Sequence, residues 1–235
     1  LPVLIKFIDA KKDLSVQVHP DDAYGLEHEG ELGKTECWYI IDAEEGAEII
    51  YGHKAKTKEE LASLIEAGDW DGLLSKTPVK KGDFFFVPSG TMHAIGAGIM
   101  VLETQQSSDT TYRVYDFDRK DDQGNLRELH LEKSINVLNI GEPANSRPVT
   151  TKVDDLKSTL LVASDFFAVY KWEISGKADF EKTADYSLFS VLDGQGSLLV
   201  DGQEYPIAKG VHFILPSDVQ AWEIKGDLEL IVSHP

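Results

Sequence analysis

The sequence predicts a mainly β protein: two related β-barrels or jelly rolls in tandem, with a small helical insertion in the first. Three observations carry that prediction. Short runs of alternating apolar and polar residues recur along the chain, punctuated by Gly, Asp and Pro. Only brief segments switch to helical spacing. The two halves also repeat one another, which marks a duplicated unit.

The strand-like runs of the first half are VLIKFI, LSVQVH, CWYIID, AEIIYG, DFFFVP and IMVLET. The second half supplies FAVYKWEI, YSLFSVLD, GSLLVDG, HFILPS and LELIVS. Between strands, residues 57–76 read TKEELASLIEAGDWDGLLSK. Their T-x-x-E opening is a capping box, and Leu61, Leu64 and Ile65 follow at helical spacing. One or two short helices are expected there, and another from His130 to Asn139, where Leu131, Ile135 and Leu138 share a face. TTYRVYD reads as a strand with Tyr112 and Val114 facing away from Arg113.

The repeat aligns ECWYIIDAEEGAEIIYG (Glu36 to Gly52) with YSLFSVLDGQGSLLVDG (Tyr186 to Gly202), each read as strand, acidic-Gly turn and strand. KKGDFFFVPSGTMHAI likewise aligns with AKGVHFILPSDVQAWEI. A linker is expected in GEPANSRPV, dividing a domain of residues 1–140 from one of residues 150–235. The alignment places Ala221 opposite His93 and Tyr186 opposite Glu36. A ligand-type cluster is therefore expected in the first domain and none in the second.

Composition narrows the partners. The formal net charge is −18, from 23 basic and 41 acidic residues, which repels nucleic acid and anionic membrane surfaces. The single cysteine, Cys37, rules out an intrachain disulfide and fits a reducing, cytoplasmic setting. It is expected to be buried packing. No apolar run reaches membrane-span length. The chain opens on LPVLIKFIDA, which reads as the interior of a strand, so a segment upstream is expected to be missing.

Chemistry concentrates at two places. In LSVQVHPDD the period of a strand puts Ser15, Gln17 and His19 on one face. In Gly82-x5-Pro88-x-Gly90-x2-His93, a strand and a tight turn deliver a histidine onto the returning strand. Taken singly, each residue reads as ordinary packing or as a solvated surface group. Together, Gln17, His19, Glu36 and His93 form an N/O donor set suited to Zn²⁺, Fe²⁺ or Mn²⁺.

The glycine–proline–histidine pattern resembles the second motif of the cupin family, whose histidine binds a metal. A closer resemblance follows from LSVQVHPDD, GKTECWYII, VPSGTMHAIGAG, LETQQSSDTTYRVYDFDR and LRELHLEKSINVL. These are similar to the short bacterial form of the type I mannose-6-phosphate isomerases over most of residues 1–140. The resemblance implies one Zn²⁺ per chain on Gln17, His19, Glu36 and His93. It implies an active-site arginine at Arg113, a lysine at Lys34, a substrate-binding serine at Ser15 and an acidic pocket residue at Glu103. The implied reaction moves a proton between C2 and C1 of a sugar phosphate through an enediolate. Two alternatives stand beside it: an Fe²⁺-dependent cupin oxygenase, since two His and one carboxylate also form the facial triad, and a sugar-binding cupin without catalysis.

Overall fold

The computed structural model describes all of residues 1–235. Contacts within the chain gather into two units, Val3–Asn145 and Ser146–Pro235.

The first unit runs β1 (Val3–Ala10), β2 (Val16–Val18), α1 (Asp22–Glu29), β3 (Glu36–Ala43), β4 (Glu48–His53), α2 (Lys58–Ala67), α3 (Trp70–Leu73), β5 (Leu74–Pro78), β6 (Phe84–Val87), β7 (His93–Ile95), β8 (Ile99–Gln106), β9 (Tyr112–Tyr115) and α4 (Leu131–Val137). Its strands form two antiparallel sheets, ordered β1-β8-β3-β6 and β5-β4-β7-β2-β9. Trp38, Ile40 and Val101 of the first sheet pack with Ile49 and Ile95 of the second, so one core lies between the sheets. No pairing joins the edges of one sheet to those of the other, and the architecture is a sandwich rather than a closed barrel.

A second core covers the outer face of the five-stranded sheet. There Val16, Val18, Ala94, Tyr112 and Val114 meet Leu61 and Ile65 of α2, Leu73 of α3 and Leu138 after α4. The helices thus cover the outer face of that sheet. Thr57 caps α2 through the Glu60 N–H, and Glu60 returns a bond to the Lys56 N–H, close to the capping box expected there. The end of the insertion differs from expectation. Leu74–Pro78 is a strand, because it pairs with β4 and Leu74 enters the outer core.

Helix α1 was not expected from the sequence. It has the signals of a helix end at each side, with Asp21 accepting from the Tyr24 N–H and Gly30 at φ 70°. It lacks an apolar stripe: its one buried residue is Gly25.

The second unit comprises β10 (Val149–Val153), β11 (Leu156–Ala163), β12 (Ala168–Glu181), β13 (Ser187–Val200), β14 (Gln203–Ala208), β15 (His212–Leu215) and β16 (Ala221–His234). One sheet is ordered β10-β11-β12-β16-β13-β14, with β15 also paired to β13. The turn expected at DGQG is absent. Residues 187–200 are one continuous strand with a register shift between Val191 and Asp193. Glycines make this possible. Gly176, Gly226 and Gly196 stand side by side across β12, β16 and β13, and a Cβ at Gly196 would lie 1.9 Å from the Lys225 carbonyl oxygen. Strands can bend together at such a row without side chains to collide. Beyond it, β12 brings Phe180 back over Trp172, stacked at 4.2 Å.

Candidate metal centre

Two close backbone approaches build the site. Gly33 lies against Pro20 and Asp21, where a Cβ would fall within 2.6 Å of three backbone atoms, and the Lys34 N–H donates to the Pro20 carbonyl at 3.0 Å. This contact brings Lys34 and Glu36 alongside His19. Gly90, at φ 82°, turns the chain after Pro88 and donates its N–H to the His19 carbonyl at 2.8 Å. That turn delivers His93. The spacing read before His93 is therefore that of a turn folded onto the His19 backbone, and the Gly33 approach rests on the neighbouring Pro20 and Asp21.

His19, Glu36 and His93 converge, with exposures of 2%, 1% and 0%. Their ligand atoms all lie within 4.8 Å of one another. His19 Nε2 sits 3.3 Å from Glu36 Oε2, and His93 Nε2 sits 3.3 Å from Glu36 Oε1. Two donors at about 2.1 Å from one tetrahedral ion would be about 3.4 Å apart.

The far nitrogens are also fixed. His19 Nδ1 lies 2.9 Å from the Thr110 carbonyl oxygen, and His93 Nδ1 lies 2.8 Å from that of Thr91. Each ring thus has an oxygen acceptor at both nitrogens, and a neutral imidazole has one proton. Burial disfavours a second: it draws His19 down to about 4, against the opposing pull of Glu36. With Nδ1–H spent on a carbonyl, each Nε2 lone pair faces a carboxylate. Both Nε2 atoms and Glu36 Oε2 lack a hydrogen-bond partner. A divalent cation among them resolves the conflict, and a backbone carbonyl behind each histidine is the usual support of a metal-binding ring. Burial works to raise the Glu36 carboxyl; positive charge on the two imidazoles outweighs it and holds it well below the usual range, and a cation at the same place acts in the same direction. The donor set fits a metal.

The neighbouring residues divide by their contacts. In the five-stranded sheet Gln17 stands directly opposite His93 on one side and Arg113 on the other. Directly paired residues share a face, so His93, Gln17 and Arg113 form one row on the inner side. Lys34 is buried with Nζ 3.6 Å from Glu36 Oε2. Arg113 does not pair with Asp116 or Asp118. Its Nη1 donates to the Glu128 carbonyl at 2.8 Å, and its Nε is buried without a partner. Asp116 is instead held by Arg119 and Arg127. Glu103 is buried and accepts from Trp38 Nε1 at 3.0 Å. Burial first, then Glu36, pushes its carboxyl up to about 7. Trp38 in turn meets the His93 ring edge-on at 5.5 Å. Ser15 is buried just ahead of β2, outside the contacts that tie the cluster together. Cys37 is buried, and burial pushes its thiol above the ordinary range.

Lys6 was missed in the sequence. It pairs across from Glu103, between Leu4 and Ile8, which stand opposite Gln105 and Val101. A lone cation on the apolar face of VLIKFI was the available signal. A cavity of about 440 Å³ lined by Leu14, Ile50, Trp70, Ala94 and Tyr115 includes none of the cluster residues. In the second unit Ala221 opens β16 and Tyr186 precedes β13. The three residues of the first unit are the one metal-type cluster of His, Cys, Asp and Glu in the chain.

Comparison with known proteins supplies the wider frame. Residues 157–235 match the family model described as mannose-6-phosphate isomerase, cupin domain. Mannose-6-phosphate isomerase of Streptococcus mutans serotype c is 65% identical over 99% of this chain and 74% of its own length. The ManA isomerase of Bacillus subtilis is 53% identical over 99% of this chain and 75% of its own. The crystal structure of mannose 6-phosphate isomerase from Bacillus subtilis superposes with a TM-score of 0.94 at 48% identity, covering 100% of this chain and 76% of that one. Mutant phosphomannose isomerases from Salmonella typhimurium, such as one at TM-score 0.81 and 14% identity, share the fold.

Proposed function

The chain belongs to the mannose-6-phosphate isomerase family, and on that premise we propose that it interconverts mannose 6-phosphate and fructose 6-phosphate at the His19–Glu36–His93 centre, with one zinc ion per chain. The observation that carries this reading is the set of unpartnered Nε2 and Oε2 atoms, buried beside Lys34 and on the same inner side as Arg113. Relatives at 65% and 53% identity carry the isomerase name, which disfavours the iron oxygenase and the non-catalytic sugar-binding alternatives.

His19, Glu36 and His93 would hold the ion, and Gln17, on the same face, would complete the set. Two imidazoles with carboxylate and amide oxygens suit Zn²⁺. When bound, a divalent cation supplies an electrophile for the charge that develops on the sugar oxygens during enolisation. The remaining roles fall to the chain. Arg113 brings a permanently charged guanidinium with a free, buried Nε–H, suited to an enediolate oxygen or to phosphate. Lys34 Nζ is placed beside the centre to move the proton between C2 and C1. Glu103, with its carboxyl pushed up to about 7, and the half-buried Lys6 opposite it add polar groups from the other sheet. Ser15 serves as a substrate contact in this reading, through the family resemblance alone. Residues 1–140 form the catalytic part, and residues 150–235 a cupin-like part without metal.

The test is the formation of fructose 6-phosphate from mannose 6-phosphate by zinc-loaded protein, with metal analysis of the same sample. Absence of turnover with one equivalent of zinc bound would overturn the reading.

A further inference from the structure

Arg113 lies on β9, the last strand of its sheet. On one side its backbone neighbours Gln17 of β2. On the other side no strand follows, and an edge strand ordinarily leaves its N–H and C=O groups unpaired. Here the stretch Glu128–His130 takes the place of a strand. The His130 N–H donates to the Arg113 carbonyl at 2.8 Å. The Arg113 N–H donates to His130 Nδ1 at 3.0 Å, so an imidazole nitrogen stands where a backbone carbonyl would. The Glu128 carbonyl accepts from Arg113 Nη1 at 2.8 Å. Both ends of Arg113 are gripped by the same three residues.

His130 is also the N-cap of α4. That position usually spends its side chain on a free helix N–H, but His130 makes no such bond. Its imidazole serves Arg113 instead. We infer that His130 is a positioning residue: it clasps the backbone of Arg113 so that the free guanidinium Nε–H is held towards the substrate. This inference rests on the role proposed for Arg113 above.

The clasp depends on protonation. To accept from the Arg113 N–H, Nδ1 must carry no proton. A proton there would set one donor against another and add positive charge beside the guanidinium. The charged and titratable groups around the ring are Glu128, whose Oε2 is 3.9 Å from Nε2, Arg113 itself, and Tyr112 with its ring centroid at 6.1 Å. Beyond Tyr112 lies the Glu29–Lys133 pair, and Lys58 of α2 binds the carbonyls at the far end of α4. β2 contributes no charged residue.

The test compares His130→Ala and His130→Asn in the zinc-loaded protein. Asn is a good N-cap and its Oδ1 can accept the Arg113 N–H. His130→Ala should lower kcat about tenfold with little change in KM, the scale of one lost hydrogen bond that orients a reacting group. His130→Asn should restore most of that loss. Amide exchange at Arg113, read by NMR, should speed up in His130→Ala and recover in His130→Asn, independently of turnover. Failure of His130→Asn to recover kcat, or unchanged Arg113 exchange in His130→Ala, would overturn the inference. Arg113→Ala is the control on the underlying reading. If it keeps wild-type kcat, Arg113 leaves the site and the role of His130 goes with it. If Arg113→Ala is inactive while His130→Ala is unaffected, the clasp alone is overturned.

Discussion

His19 Nε2 and Glu36 Oε2 face one another at 3.3 Å, fully buried, and neither has a hydrogen-bond partner. Leaving buried polar atoms unmade costs about 1–3 kcal/mol each, and a cation between them would remove that cost. Metal binding should therefore stabilise the protein measurably. At a free concentration a hundred times Kd the gain is about 2.7 kcal/mol, or roughly 5–10 °C in Tm for a unit of this size. Calorimetry with chelator and then with added Zn²⁺ checks it. A Tm indifferent to both would mean that the cluster holds no metal.

His93→Ala removes one imidazole and leaves His19 and Glu36 as the strong donors. The bound metal should fall from one equivalent to near none, and isomerase activity with it. Elemental analysis decides the outcome. Stoichiometric zinc in the variant would refute the donor set.

Gly33→Ala tests the approach that assembles the centre. The new Cβ would meet the Asp21 carbon at 2.3 Å and the Pro20 oxygen at 2.5 Å. These are backbone atoms, so the chain must part there, at about 1–3 kcal/mol. The same displacement separates His19 from Glu36. Both Tm and zinc affinity should drop. A variant with wild-type affinity would show that this contact does not set the ligand geometry.

The meeting of His19 and His93 was legible from local signs, Pro-x-Gly before His93 and strand alternation through Gln17 and His19, whereas Glu36, the third member of the cluster, carries no such sign. Helix α1 was not legible, since Gly25 is its only buried residue and no apolar period exists to read. DGQG misled for a related reason. Glycine beside an acidic residue signals a turn, yet Gly196 serves close strand packing, a demand set by Gly176 and Gly226 on strands far away in sequence. The clasp on Arg113 joins residues fifteen and seventeen positions apart and depends on which ring nitrogen faces it, neither of which a motif records.

The loop after β9 carries a pH-dependent clamp. Asp116 accepts from both Arg119 and Arg127, at 2.5–2.8 Å. Arg127 first, with burial opposing and Arg119 assisting, holds its carboxyl down to about 2. A carboxyl depressed on folding contributes stability that is present above its unfolded value and is lost as pH falls through the folded one. The loss should therefore run from about pH 4 to about pH 2. Both arginines are partly exposed, which limits the contribution to about 1–2 kcal/mol at neutral pH. Asp116→Asn should lower stability by that amount at pH 7 and by progressively less towards pH 2. Denaturant titrations across this range measure it. A constant difference between variant and wild type would remove the ion pair as the cause.

Arg113→Lys separates charge from shape. Lysine keeps the positive charge but loses the planar fork and the Nε–H, along with the Nη1 bond to the Glu128 carbonyl. If Arg113 acts on the enediolate, kcat should fall by about two to three orders of magnitude, the scale of one lost oxyanion donor, while KM changes little. If it grips the phosphate alone, KM should rise and kcat should stay near wild type. The structure favours the first outcome. Arg113 shares its inner row with Gln17 and His93, so it stands on the same side of the sheet as the proposed metal centre. Steady-state kinetics on mannose 6-phosphate distinguish the two, and unchanged kcat and KM together would place Arg113 outside the site.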